Sequence, residues 1–177
     1  MLNDPPLQFV GLYLSPDRRR ARTCTLAAAI LAADGRLLHT ATAPPATVEG
    51  RSLPDPAWIL NVLEGLVGPC EVTWRPSIAA CLVQPQGVKR DSNAAAASAS
   101  AGTAVRMTRH PVVRVTRRDL DAFAQAGGRR GERQVSDAVA QAWRSRWGAR
   151  AFPGVDEAWA ALTAELHRER AQERLAS

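Results

Sequence analysis

A chain of 177 residues, 46% hydrophobic and 23% charged, has the length for one domain with a sizeable core and the composition of an ordinary globular protein. No apolar run nears the roughly 20 residues that cross a bilayer. Met1–Pro6 carries Asn3 and Asp4 and does not read as a secretory signal, so a cytoplasmic protein that does not engage a membrane is expected.

The net charge is +6, from 23 Lys and Arg against 17 Asp and Glu, and Lys89 is the only lysine. Arg106, Arg109, Arg114, Arg117 and Arg118 follow one another with no acid between them. Arg129, Arg130 and Arg133 come next, then Arg144, Arg146 and Arg150, while acids gather towards the C-terminus. A polarised basic stretch suits a polyanion such as DNA or RNA; a solvated basic surface is the plain alternative. Cys24, Cys70 and Cys81 are odd in number, widely spaced and without a CxxC pair, which reads as buried thiols in a reducing compartment. His39, His110 and His167 lack ligand spacing, so no metal centre of Cys and His is expected.

Along the chain, Leu7–Leu14 reads as a buried strand closed by Ser15-Pro16-Asp17, followed by a basic loop over Arg18–Arg22. Thr23–Ala32 is a second apolar run, Asp34-Gly35 a hairpin signal and Arg36–Ala43 a third strand. Pro44 and Pro45 stop it and open a loop to Pro54. Asp55-Pro56 caps a helix with Ile59, Val62, Leu63, Leu66 and Val67 at helical spacing, ended by Gly68. Ser77–Val83 is a short strand broken by Gln84-Pro85-Gln86-Gly87, and Asn93–Met107 is helical with an Ala-rich face. Pro111–Val115 reads as a strand, and Thr116 with Asp119 forms a capping box for a helix through Ala126. A basic glycine-rich loop, Gly127–Gly131, precedes an amphipathic helix over Gln134–Trp147 and a last helix over Val155–Arg174. The whole is one domain, 1–177, with a charged, solvated helical end from about residue 165.

Three strands, helix, strand, helix, strand and then helices is the order of the ribonuclease-H-like superfamily. Val10-Gly11-Leu12 looks like the opening of the first strand of one branch, and Arg75-Pro76-Ser77-Ile78-Ala79 like the lead into its fourth. Asn93-Ala94 is similar to the start of its dimer-packing helix. Pro111-Val112, Arg118, Gly128 and Gln134-Val135 keep its spacing without a gap, and Ala158, Ala160 and Leu162 look like its closing helix. On these residues the chain resembles the RuvC-type Holliday-junction resolvases. The resemblance implies an α/β fold with a mixed sheet, three antiparallel strands then parallel ones, flanked by helices. It also implies a homodimer that binds branched DNA, with a recombination or repair protein as a further partner.

Family membership would further imply an endonuclease with two divalent metal ions held by four carboxylates. The sequence departs from that pattern. Tyr13 stands where the first Asp would follow Gly11-Leu12. The acid of the fourth strand would fall at Leu82, or at Gln84 or Gln86 in a shifted register, and Gly154 stands opposite Glu157 in the last helix. Glu157 is the one weak metal candidate. No Asp or Glu lies in Leu7–Leu14 or Ile78–Gln86, so sliding the register supplies none. Asp17, Asp91, Asp156 and Glu157 would make a shifted site only if Asp17 and Asp91 left their turn roles. No catalytic residue and no cofactor is therefore expected; Mg²⁺ or Mn²⁺ enters only with an active enzyme whose ligands have moved.

Gly128-Arg129-Arg130-Gly131-Glu132-Arg133 resembles a family loop that approaches DNA, with Glu132 where the family has a basic residue. Arg129, Arg130 and Arg133, with Arg114, Arg117 and Arg118, are the candidate phosphate contacts; solvated connector, edge-strand and helix-cap roles are the alternatives. Trp58, Trp143 and Trp159 are expected in the core, Trp74 and Trp147 outside it, and Tyr13 is expected to plug the old metal site. The leading expectation is a catalytically degenerate RuvC-like binder of branched DNA. The rivals are an active resolvase with relocated ligands and a scaffold subunit that holds a protein partner.

Overall fold

The computed structural model describes residues 7–16, 24–55, 57–58, 60–61, 75–82, 92–107, 110–126, 143, 146–148 and 154–177. Within them lie seven strands: β1 (Leu7–Pro16), β2 (Cys24–Ala32), β3 (Leu37–Thr42), β4 (Pro45–Val48), β5 (Arg51–Pro54), β6 (Arg75–Cys81) and β7 (Val112–Arg114). Three full helices accompany them: α1 (Asn93–Met107), α2 (Arg117–Ala126) and α3 (Val155–Ala176). The main sheet has the order β3-β2-β1-β6-β7. β1, β2 and β3 pair antiparallel, whereas β6 and β7 join β1 in parallel, which is the mixed sheet the sequence implied.

Side chains alternate across a strand, so each strand of this doubly covered sheet feeds two cores. One face carries Val10, Leu12 and Leu14 with Leu26, Ala28, Ile30, Ile78 and Ala80, and α1 covers it with Ala97, Ala101, Ala104 and Val105. The other carries Tyr13, Ala27, Ala29, Ala79 and Cys81 under Ala158, Ala160, Ala161 and Leu162 of α3. Across the centre of this second face Gly11 pairs with Ala29 on one side and Ala79 on the other. This floor has almost no side chains, and α3 lies directly on it. A Cβ at Gly11 would sit 2.0 Å from the Ala160 carbonyl oxygen and 2.5 Å from the Ala164 nitrogen.

Further along, α3 is tied down by polar contacts. His167 shares a 2.7 Å hydrogen bond with Ser77 Oγ, and Arg168 grips the buried Glu165 carboxylate through Nε and Nη2 at 2.7 and 2.8 Å. Trp147 Nε1 donates to the Gly35 carbonyl at 3.0 Å, fixing the β2–β3 turn, where Gly35 has φ +88°. Burial along α3 continues through His167, and exposure begins in earnest at Gln172. The charged end is therefore shorter than expected, because Glu165 and Arg168 satisfy each other instead of facing water.

One further expectation changes. The stretch expected to loop from Pro44 to Pro54 is a hairpin, β4–β5, with Pro45 opposite Pro54 and Val48 opposite Arg51. Proline is tolerated at a strand's outer end, where no ladder hydrogen bond needs its nitrogen, and Leu53 anchors the hairpin in the core. The helix start at Asp55 is present, with Asp55 Oδ1 accepting from the Ala57 amide at 2.9 Å, but Ile59 and Val62–Gly68 lie outside the described residues. Most of the helix expected over Gln134–Trp147 also lies outside them. Trp143 and Trp159 are buried, Trp58 and Trp147 are half-buried, and Trp74 is outside. Among the described residues no helix is long and apolar enough to cross a membrane.

The close approach at Gly11 leads to a direct expectation. Gly11→Val drives a branched side chain into α3 backbone and should cost about 3 kcal/mol or more. At 2–4 °C per kcal/mol, a thermal melt followed by circular dichroism should shift down by roughly 6–12 °C. An unchanged melt would mean that α3 does not rest on this floor.

Candidate nucleic-acid interface at the ends of the parallel strands

From β1 the chain turns back towards β2 and β3, and from β6 it moves the other way, to β7. The carboxyl ends of β1 and β6 thus flank the point where strand order reverses, the place where open α/β sheets receive ligands. Tyr13 and Cys81 are register partners there, both on the α3 face. Trp159 comes down from the second turn of α3, and Arg117 enters from the first residue of α2.

Local sequence sets the direction of Arg117. The amide and Oγ1 of Thr116 donate to Asp119 Oδ2 at 2.9 and 2.5 Å, and the Asp119 amide donates back to Thr116 Oγ1 at 3.1 Å. Asp119 also accepts from Arg170 Nη2 at 3.0 Å, so the start of α2 is fastened to α3. The Thr116 hydrogen bonds hold the Asp119 carboxyl down at about 2. With the helix start fixed, Arg117 lies on the same stripe as the buried Leu120 and Ala124 and turns inward.

At the centre, Tyr13 and Trp159 stack with ring centroids 5.6 Å apart and planes 18° from parallel. The Arg117 guanidinium carbon lies 3.8 Å from the Trp159 ring centroid and 5.7 Å from that of Tyr13. Its Nη1 donates to the Tyr13 hydroxyl, and its Nε donates to Asp121 Oδ1 at 3.0 Å. Burial pushes the Tyr13 phenol up to about 12; Arg117 opposes the shift, while Cys81 and Asp156 add to it. Burial likewise raises the Cys81 thiol to about 11 against the pull of Arg117. Both groups are neutral across the physiological range.

The structure brings together some of the positions singled out in the sequence and separates others. Tyr13 is buried at the end of β1. Gly154 and Glu157 meet at the start of α3, where the Glu157 carboxylate folds over Gly154 and Oε1 accepts from Thr42 Oγ1 of β3 at 2.5 Å. Leu82 does not join them. It packs on the α1 side of the sheet, and the β6 residue beside Tyr13 is Cys81, because one step along a strand reverses the face. Arg114 and Arg118 are exposed on β7 and α2. Arg129, Arg130 and Arg133 lie outside the described residues, as do Asp17, Gln84, Gln86 and Asp91. Sequence reasoning missed the partnership of Cys81 and the inward turn of Arg117. The signal for the latter was its spacing of three and seven from Leu120 and Ala124.

Two Mg²⁺ ions need hard, charged oxygen ligands. Around Tyr13 the donors on the strands are a neutral phenol and a neutral thiol; of the nearby carboxylates, Asp121 is paired with the Arg117 guanidinium and Glu157 accepts from Thr42, while Asp156 is near enough to act on the Tyr13 phenol. Among the described residues no three His, Cys, Asp or Glu side chains come close enough to hold a metal. The residues assembled here do not fit the pair.

Tyr13 is the only tyrosine, so ultraviolet titration of tyrosinate reads it alone. The midpoint should fall near 12, against the usual value near 10. Since the raised pKa belongs to the fold, its stabilising contribution is complete below about pH 10 and is lost as pH rises towards 12. A midpoint near 10 would show a solvated phenol.

No family model matches this chain, and neither does any curated protein. Among solved structures, it is similar to Thermus thermophilus RuvC in complex with a Holliday junction substrate, at 18% identity and a TM-score of 0.59, over 94% of this chain and 96% of that one. It is also similar to Thermus thermophilus RuvC in a second structure, at 16% identity and a TM-score of 0.55, over 93% and 96%. The chain therefore has the mixed α/β fold of RuvC-type, ribonuclease-H-like proteins.

Proposed function

We propose that this chain is a RuvC-like protein that binds branched DNA through Arg–phosphate contacts and has no two-metal nuclease chemistry of its own. The observation that carries this reading is the guanidinium of Arg117 at the strand ends, where β1 and β6 themselves supply a phenol and a thiol and no carboxylate. The shared fold supports the choice of DNA, since the similar Thermus thermophilus protein was seen with a Holliday junction substrate. Arg114 and Arg118 stand exposed on the same strand–helix segment, which together with the net charge of +6 favours a phosphate backbone over base edges. The reading includes a homodimer formed through α1, whose outer side presents Ala99, Thr103 and Met107 to solvent.

The test is a labelled four-way junction against plain duplex, with EDTA or Mn²⁺ in parallel. Selective binding without cuts is expected. Log affinity should fall linearly with log salt, with a slope of roughly 0.9 for each phosphate neutralised. Absence of binding to any DNA at low salt overturns the reading. Metal-dependent cuts would restore the active-resolvase alternative.

A further inference from the structure

Away from the Tyr13 site, at the amino ends of β1 and β6, α3 buries a titratable side chain that DNA binding does not use. His167 lies over Phe9 and Ser77, which are register partners in the two strands. Its Nε2 and the Ser77 hydroxyl share a hydrogen bond of 2.7 Å. Its ring meets that of Phe9 edge to face, with centroids 5.6 Å apart and planes at 76°. One imidazole thus touches both parallel strands and joins them to the second half of α3.

The surroundings oppose a charge on this ring. From β1 it meets the apolar Phe9, and from β6 the neutral Ser77. Neither strand contains an acid, and the one charged residue in the two is Arg75. On α3 itself the charges that act on the ring are Arg174 and Arg170, both repelling a proton. On α2, Asp119 is bonded to Thr116 and Arg170, and Asp121 to Arg117. Burial first, and then the two arginines, hold the imidazole below its usual value of 6.5.

We infer that His167 is a proton-operated latch: neutral, it fastens the second half of α3 to the amino ends of β1 and β6, and protonated, it lets that half lift. An imidazolium still donates to a hydroxyl, so the bond to Ser77 is not what fails. Protonation leaves a charge buried beside two arginines, and lifting the helix returns that charge to water. The first half of α3 stays seated, because Ala160 and Ala164 rest on Gly11. Arg170 moves with the latch, so its bond to Asp119 couples the release to the start of α2. The folded ring takes its proton at lower pH than an exposed one. The stability it contributes is therefore complete above pH 6.5 and is lost as pH falls through the lowered folded value.

The experiment is amide hydrogen exchange on the whole chain, corrected for the intrinsic effect of pH, from about pH 7.5 to about pH 5, a range in which histidine titrates. It compares the wild type with His167→Gln, which keeps a donor and an acceptor near the reach of Nε2 but takes no proton. In the wild type, protection in the second half of α3 should fall below pH 6.5, by at most about tenfold per pH unit, while that of β1 and β2 holds steady. In His167→Gln it should not change with pH. If that variant fails to fold, NMR titration of the wild-type His167 ring decides: its protonation should run in step with the loss of protection. Steady protection in the wild type, a loss that persists in His167→Gln, or a ring that titrates without any loss would each overturn the inference. The readout involves no DNA, so it does not depend on the function proposed above.

Discussion

The architecture depends on one close contact, the backbone of α3 resting on β1 at Gly11. With Ala29 and Ala79 flanking Gly11 in the sheet and Ala160 and Ala164 above it, helix and sheet approach to a distance at which no side chain fits between them. Such packing gives up the hydrophobic burial of larger residues, about 1.5–3 kcal/mol for each side chain of Val or Leu size. In return it brings many atoms into contact and fixes the helix in both rotation and height. That placement decides where Trp159 comes down and where the start of α3 meets the end of β3.

From this placement follows the chemistry at the strand ends. Tyr13 is two residues beyond Gly11, on the same face, so the phenol must fill the space beneath the second turn of α3. A stacked tyrosine and tryptophan form an electron-rich seat, and a cation above it gains roughly 0.5–2 kcal/mol depending on desolvation. Carboxylates clustered at the same strand ends would repel one another and need metal ions to hold them together. Here the cation belongs to the protein, and its aromatic partners require no counter-ion. The arrangement is therefore held together by the protein's own cation and its aromatic neighbours.

The capping box at Thr116 connects the two halves of this arrangement. Asp119 serves Thr116 within α2 and Arg170 on α3, and its carboxyl stays ionised well below neutral pH because both partners donate to it. A short helix of ten residues is marginal by itself. Fastened at its first turn to α3, it can hold Arg117 over Trp159 with little freedom.

How much of this was legible in the sequence differs by element. Apolar runs and the Asp34-Gly35 turn marked β1, β2 and β3, and Thr116 with Asp119 marked the start of α2, because these signals are local and act within a few residues. The absence of acids along β1 and β6 was equally plain, since it needs only the alphabet. The β4–β5 hairpin was hidden by its own prolines, which break strands in general but are harmless at a strand's outer ends. Cys81 was read as a buried thiol and Leu82 as the position of the fourth strand's acid, because the facing of a short strand depends on its register with a neighbour far away in the chain. The Arg117 seat depended on the same kind of information. Spacing could place Arg117 on the buried stripe of α2, but only the folded sheet and α3 bring Tyr13, 104 residues earlier, and Trp159 to meet it. The sequence by itself determined the strands of the main sheet, the helix cap at Thr116 and the absence of acids along β1 and β6. Tertiary structure alone decided what fills that place, because close packing at Gly11 sets the height of α3 and thus which side chains share the space beneath it.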